Sequence, residues 1–192
     1  MALPAEKPRY TFADVLTWDE GERAEIIDGE VILMAPSPSR VHQGISGEIC
    51  RQLGNYLKGK KCKVYAAPFD VRLFEVDGDR PEDVDTVVEP DITVVCDPAK
   101  LDERGCKGAP DMVVEILSPS TQRHDRLVKL GLYQRAGVRE YWIVSPEEQT
   151  VQVMLLDSGG VLQLHEVYDR DSIAKVNILD GCFIELAKVF AE

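Results

Sequence analysis

Pro90-Asp91-Ile92-Thr93-Val94-Val95-Cys96 and Asp111-Met112-Val113-Val114-Glu115-Ile116-Leu117 are two apolar, β-branched runs of strand length, and each carries a carboxylate inside or at its start. Each predicts a buried strand. Alternation sets Asp91 on one face with Thr93 and Val95, and Glu115 on one face of its own strand with Val113 and Leu117. Glu115 therefore points the same way as apolar neighbours. A buried carboxylate is costly unless it is paired or bound to a metal, and two near each other repel unless a cation lies between them.

A cation is available in the next predicted helix, over residues 122 to 136. Lys129 falls at the centre of its apolar arc, flanked by Leu132, Tyr133 and Ala136, bounded by Val128 and Leu130, and preceded by one turn by Asp125. The competing reading is an exposed Asp125–Lys129 pair, which stabilises a surface helix by about 0.2 to 0.5 kcal/mol. The inward reading makes Asp91, Glu115 and Lys129 one metal and lysine site, with Asp125 positioning the lysine.

Moving outward, the 192 residues, 44% hydrophobic and 29% charged, suit one globular domain. Neither a repeat nor a low-complexity segment divides them. Five cysteines (Cys50, Cys62, Cys96, Cys106, Cys182), odd in number and without a C-x-x-C pair, predict reduced structural thiols rather than a disulfide framework or a zinc knuckle. The sequence opens without a signal-peptide pattern and holds no apolar run near the roughly 20 residues of a membrane helix, so the expected location is cytoplasmic.

The net charge of -12 and pI of about 4.7 weigh against free nucleic-acid binding, since phosphate contacts need Lys and Arg. The charge is uneven. Residues 75 to 89 are an acidic loop, whereas Arg123, Arg126, Arg135 and Arg139 gather on or near the Lys129 helix, either as a local basic face or as its solvated side.

The remaining elements follow in order. Thr11 with Asp14 resembles a capping box for a short helix ending near Trp18. Residues 24 to 34 predict a hairpin around Asp28-Gly29. Ser39 caps a helix reaching about Lys58, with Ile45, Ile49, Leu53 and Leu57 along one stripe. Strands follow over residues 62 to 66 and 69 to 74, and the stretch from 97 to 110 is rich in turns. Beyond Gly137, residues 141 to 144 predict a core strand, residues 150 to 168 an exposed hairpin around Ser158-Gly159-Gly160, and the tail from Cys182 a small closing helix.

From residue 39 to 144 this order of helix, strands, helix and strand resembles the core of the PD-(D/E)XK nuclease superfamily. Pro90-Asp91 looks like its P-D element, and Glu115-Ile116-Leu117 like its E-x-K element with Leu117 in place of the lysine. Glu25-Ile26-Ile27-Asp28-Gly29-Glu30, Gly108-Ala109-Pro110-Asp111, Val114-Glu115-Ile116-Leu117-Ser118-Pro119-Ser120-Thr121, the stretch from Asp125 to Lys129 and Tyr141-Trp142-Ile143-Val144 resemble a narrower group, the Uma-two family of restriction endonucleases. The resemblance covers nearly the whole chain. It implies that the lysine has migrated to the following helix, where Lys129 replaces the one absent at Leu117. It also implies an α/β (α+β) restriction-endonuclease-like domain spanning 1–192. The core is expected at about 39–145, with an N-terminal helix and hairpin at 11–34 and a C-terminal hairpin and helix at 150–190 packed on a mixed central sheet.

On this reading the chemistry is hydrolysis of DNA phosphodiester bonds, with Asp91 and Glu115, and the Ile116 carbonyl, holding Mg²⁺ or Mn²⁺ through hard oxygens. Lys129 orients the attacking water or stabilises the phosphorane charge, the second role being favoured because a lysine beside two carboxylates stays protonated. His42, at the start of the first long helix, is a candidate proton-transfer or phosphate-contacting group, with a cap or surface position as the alternative. Glu25 is a candidate outer metal ligand, with a solvated position as the alternative. Analogy with nucleases that act on two strands points to a homodimer through the hairpin at 150 to 168. Two other functions stay open: a nucleic-acid-binding or regulatory protein that keeps the fold without cleaving, and a sugar hydrolase using paired carboxylates, which leaves Lys129 without a task.

Overall fold

A computed structural model describes residues 9–18, 24–34, 37–118 and 124–191, and the side chains of 124–126 lie outside that description. Its helices are α1 (Phe12–Val15), α2 (Arg40–Leu57), α3 (Leu130–Ala136) and α4 (Leu186–Val189). The early strands are β1 (Ala24–Ile27), β2 (Glu30–Leu33), β3 (Lys63–Ala66), β4 (Val71–Arg72), β5 (Val87–Val88), β6 (Ile92–Val95), β7 (Leu101–Asp102) and β8 (Gly105–Lys107). The later ones are β9 (Met112–Ile116), β10 (Glu140–Ser145), β11 (Thr150–Leu156), β12 (Leu162–Asp169), β13 (Ile173–Lys175) and β14 (Phe183–Glu185).

Two six-stranded sheets organise the molecule, a main sheet in the order β12-β11-β10-β9-β6-β3 and a second in the order β2-β1-β5-β4-β8-β7. In the main sheet β9 and β10 run parallel while β6 pairs antiparallel with both β9 and β3, so the sheet is mixed. Every residue of β6, β9 and β10 is buried, as apolar runs covered on both faces require. Alternation along β9 divides the core. Met112, Val114 and Ile116 face α2, where Ile45, Ile49, Leu53 and Leu57 form the expected stripe, while Val113 and Leu117 face α3 and the second sheet.

Local chemistry explains the ends of these elements. The Thr11 amide donates to Asp14 Oδ2 at 2.7 Å, and the His42 amide donates to Ser39 Oγ at 3.2 Å, so both predicted helix starts are capped. Asp28 and Gly29 both take positive φ, 50° and 80°, which the two-residue turn between β1 and β2 requires. Gly137 closes α3 in the left-handed region at φ 86°.

Four expectations need correction. The strand expected over 69 to 74 shrinks to Val71–Arg72, because the Glu75 amide donates back to the Arg72 carbonyl at 3.2 Å and folds the chain into a turn. The turn-rich stretch from 97 to 110 supplies β7 and β8, which complete the second sheet. The hairpin of β11 and β12 continues the main sheet instead of standing outside it, and Val151 and Val153 lie in the core with Val176, Ile184 and Leu186 from the C-terminal segment. Finally, Cys62 and Cys96 form a disulfide, while Cys50, Cys106 and Cys182 are free thiols. The antiparallel register of β3 with β6 pairs Lys63 with Val95 and thereby sets the two cysteines opposite each other, an adjacency that spacing in the sequence cannot reveal. Burial pushes all three free thiols up to about 11, which leaves them poor nucleophiles. Among the described residues, no helix is long and apolar enough to cross a membrane.

Candidate active site

Glu115 lies near the end of β9 on the face toward α3. The segment leading into α3, His124–Lys129, is a π-helical turn whose last residue is Lys129. Such turns insert a residue into helical spacing and frequently mark functional sites. Here it leaves Leu127 and Val128 exposed while Lys129, Leu132 and Tyr133 are buried, so the arc read from the sequence holds from Lys129 onward and fails at Val128.

The Lys129 ammonium donates to Glu115 Oε1 at 2.8 Å and to Glu25 Oε1 at 2.9 Å. All three side chains are deeply buried, at 5%, 4% and 3% exposure for Lys129, Glu115 and Glu25. Glu25 comes from β1 and its Oε1 also accepts from the Glu89 amide at 3.0 Å. Lys129 therefore ties the second sheet to the main one. Glu25 is no solvated rim residue, because pairing of β1 with β5 carries it under α3.

Tyr133 completes the cluster, its hydroxyl donating to Glu115 Oε1 at 2.6 Å and its ring meeting the Tyr141 ring edge-on with centroids 5.0 Å apart. Burial, reinforced by the Glu115 charge, pushes the phenol well above its usual range, so it stays a neutral donor. Sequence reading counted Tyr133 only among the apolar residues of the arc. The signal available was its hydroxyl, one helical turn beyond Lys129 on the buried face.

Asp91 is in a different setting. Its Oδ2 accepts from the Ile116 amide at 2.7 Å and lies 3.2 Å from His42 Nε2 on α2, and the carboxylate is 21% exposed. Extending the β6–β9 register one step beyond Ile92 and Val114 sets Asp91 opposite Glu115. Strict alternation nevertheless fails there. Asp91 precedes the first ladder residue, and its side chain takes the Ile116 amide in place of a backbone carbonyl, which turns the carboxylate toward α2 instead of the Glu115 face. His42 is half-buried against it and does not stand free on the surface.

The other candidates sort simply. The Asp125 side chain lies outside the described residues, as do those of Arg123 and Arg126. Arg135 pairs with Asp28 at 2.6 Å and stacks over Phe74, and Arg139 pairs with Asp111 at 3.1 Å, so part of the expected basic face is already engaged.

Among the described residues, no group of three or more His, Cys, Asp and Glu side chains is arranged to hold a metal ion. An ion of the Mg²⁺ type takes one or two carboxylates and completes its shell with water and substrate oxygens. Asp91 and Glu115 are hard-oxygen donors of that kind on adjacent strands, although their side chains leave the sheet toward different helices, Asp91 toward His42 on α2 and Glu115 toward Lys129.

The chain was compared with known proteins. The Uma2 family, described as "Putative restriction endonuclease", matches residues 12–187. An uncharacterised protein of Synechocystis sp. is 28% identical over 176 residues, covering 89% of this chain and 88% of its own length. A crystal structure of a "putative nuclease" from Anabaena variabilis superposes with a TM-score of 0.72 at 22% identity, over 94% of this chain and 97% of that one. The structural likeness establishes a common fold.

Proposed function

Because the chain belongs to the Uma2 family and shares the fold of a protein described as a putative nuclease, we propose that it is a metal-dependent endonuclease hydrolysing phosphodiester bonds in DNA. The observation that carries this reading is the Lys129 ammonium 2.8 Å from Glu115, a lysine delivered from the following helix to the carboxylate whose own strand offers Leu117. Asp91 and Glu115 would hold Mg²⁺ or Mn²⁺. Such an ion supplies Lewis-acid polarisation of the phosphodiester and lowers the pKa of an attacking water.

The chain's own residues do the rest. The Ile116 amide fixes the Asp91 carboxylate, and Lys129 with Tyr133 fixes that of Glu115. Lys129 places a positive charge beside a phosphate brought to Glu115 and so stabilises negative charge developing on its oxygens. His42, against Asp91 at the half-exposed rim, is the proton-transfer or phosphate-contacting group. For cleavage of two strands a homodimer is proposed through β12, the edge of the main sheet, where Leu164 and Val167 are exposed; sedimentation at the monomer mass in the presence of DNA rules it out.

The test is supercoiled plasmid incubated with Mg²⁺ or Mn²⁺, an EDTA control, and an Asp91→Ala/Lys129→Met double variant. Nicking by the native sequence alone, abolished by EDTA, is the expected result. A DNA-binding protein that does not cleave is the second reading, favoured by the net charge of -12 and the ion-paired Arg135 and Arg139. It predicts no nicking with either metal, and native and variant proteins that behave alike.

A further inference from the structure

Acidic residues outnumber basic ones in this chain by 34 to 22, and exposed cations such as Arg51, Arg80, Arg135, Arg139 and Lys188 each pair with a carboxylate. One stretch departs from that pattern. At the end of α2, Lys58-Gly59-Lys60-Lys61-Cys62-Lys63 sets four exposed lysines within six residues. Among the described residues none of the four forms an ion pair; Lys60 lies over the Tyr56 ring, 3.1 Å from its centroid, and Lys63 donates to the Lys60 carbonyl at 3.4 Å. Gly59, at φ 75°, and a bond of 2.9 Å from the Lys60 amide to the Leu57 carbonyl turn the chain back into β3 at once, which keeps the charges together. Lys58 and Lys60 complement the α2 dipole, and Lys63 guards an edge strand against pairing. Neither effect requires the whole group to stand without carboxylates in so acidic a chain.

Strand β3, the edge of the main sheet opposite β12, leads from this cluster to the candidate active site. Lys63 and Tyr65 are two residues apart and share one face of it. The Tyr65 ring stacks parallel to that of Phe69 with centroids 4.3 Å apart, and both side chains are half-buried. Just beyond the strand the Ala67 amide donates to the Asp91 carbonyl at 3.0 Å. From Lys63 to Ala67 the chain covers about 13 Å, or about four phosphate steps of one DNA strand. A cationic track beside aromatic rings is how proteins hold unpaired nucleic acid, the rings stacking on bases whatever their sequence. A lipid surface or an acidic peptide would use the lysines and leave the rings without a task.

We propose that the β3 edge is a track for a single DNA strand, with phosphates held by Lys58, Lys60, Lys61 and Lys63 and a base stacked on the Tyr65–Phe69 pair, delivering that strand to Asp91. The inference rests on DNA as the ligand of the proposed function and is independent of cleavage and of metal.

The experiment is an anisotropy titration of a fluorescent single-stranded oligonucleotide of mixed sequence, in EDTA and over a series of salt concentrations, with melting midpoints recorded for every variant. Native protein is compared with Lys60→Gln/Lys61→Gln/Lys63→Gln, with Tyr65→Leu and Tyr65→Phe, and with Arg80→Gln/Lys107→Gln/Lys188→Gln, which removes the same charge from ion-paired positions elsewhere. The first triple variant is expected to bind at least about tenfold more weakly at low salt, with the slope of log affinity against log salt reduced by about 2, and the second to stay within about twofold of native protein. Tyr65→Leu should lose about fivefold or more at an unchanged slope, and Tyr65→Phe, which keeps the stack, should bind as native protein does. Equal losses in the two triple variants overturn the inference, and so does native affinity in Tyr65→Leu. Native binding to phosphatidylserine vesicles that is tighter than to the oligonucleotide, and lost in the first triple variant, replaces the DNA strand with a lipid surface. Absence of DNA binding by the native protein overturns this inference and the nuclease reading together, whereas the expected binding without plasmid nicking supports the track and removes the nuclease reading alone.

Discussion

Among the described residues two cations are buried, each between two carboxylates, and they are not equivalent. Arg72 is 1% exposed and reaches Glu75 and Asp102, with its guanidinium over the Phe12 ring at 4.9 Å. Lys129 is 5% exposed and reaches Glu25 and Glu115. Among the described contacts each cluster sets two carboxylates against one cation. Around Arg72 that excess is hydrated, because the Asp102 carboxylate is 49% exposed. Around Lys129 both carboxylates are sealed, and the excess has no solvent to spread into. The first arrangement is a rivet between α1, β4 and β7. The second is a cluster closed to solvent, and the exposure of the partners distinguishes the two more sharply than the burial of the cation does.

Removing each cation is the strongest way to break this comparison. Lys129→Met leaves two buried carboxylates facing one another and is expected to lower stability by about 3 to 5 kcal/mol. Any plasmid nicking should disappear with it. Arg72→Met frees carboxylates that can rehydrate, so its expected cost is smaller, about 2 kcal/mol, with nicking retained in the folded fraction. Equal costs in denaturant titrations of the two variants would show that partner exposure does not separate the clusters.

A gentler change sharpens the contrast. Glu25→Gln keeps an acceptor for Lys129 and for the Glu89 amide while removing the excess charge. Stability should change by less than about 1 kcal/mol, because one ion pair is lost and one buried charge with it. Mn²⁺ affinity should fall several-fold, read by calorimetry. Unchanged affinity would mean that the excess charge plays no part in attracting a cation.

A separate, pH-dependent effect concerns another acid, Asp70, just before β4. Burial, with the Glu89 charge adding to it, raises its carboxyl from 3.8 to about 6. The folded pKa lies above the unfolded one, so the folded state binds more protons between these values and stability declines as pH rises through that window. Asp70→Asn should therefore melt higher than the native protein at pH 8, with the difference closing by pH 4. Parallel melting curves at both pH values would remove Asp70 as the cause.

Much of this was legible in the sequence because it depends on neighbours along the chain. The Asp28-Gly29 turn, the Ser39 cap, the α2 stripe and the inward direction of Glu115 all follow from spacings of a few residues. Reading failed where partners are remote. Glu25 lies 104 residues from Lys129, so nothing local distinguished it from a solvated acid. Glu140 is another case, wholly buried and accepting from Trp142, Asn177 and the Ile178 amide, two of them from the C-terminal segment. Asp91 was identified correctly as a strand-end acid but turned to the wrong face, because alternation does not govern a residue that has left the ladder.

By itself the sequence determined the long helix and the buried strands of the main sheet, that Glu115 is carried inward and that a lysine on the following helix belongs with it, since these follow from periodicity and from the cost of burying an unpaired charge. Only the tertiary structure decided that two sheets close over that lysine, that Glu25 and Tyr133 join Glu115 around it, that Asp91 pairs with His42, and that Cys62 meets Cys96. Those contacts depend on strand register and sheet order, which are fixed by the packing of the whole chain.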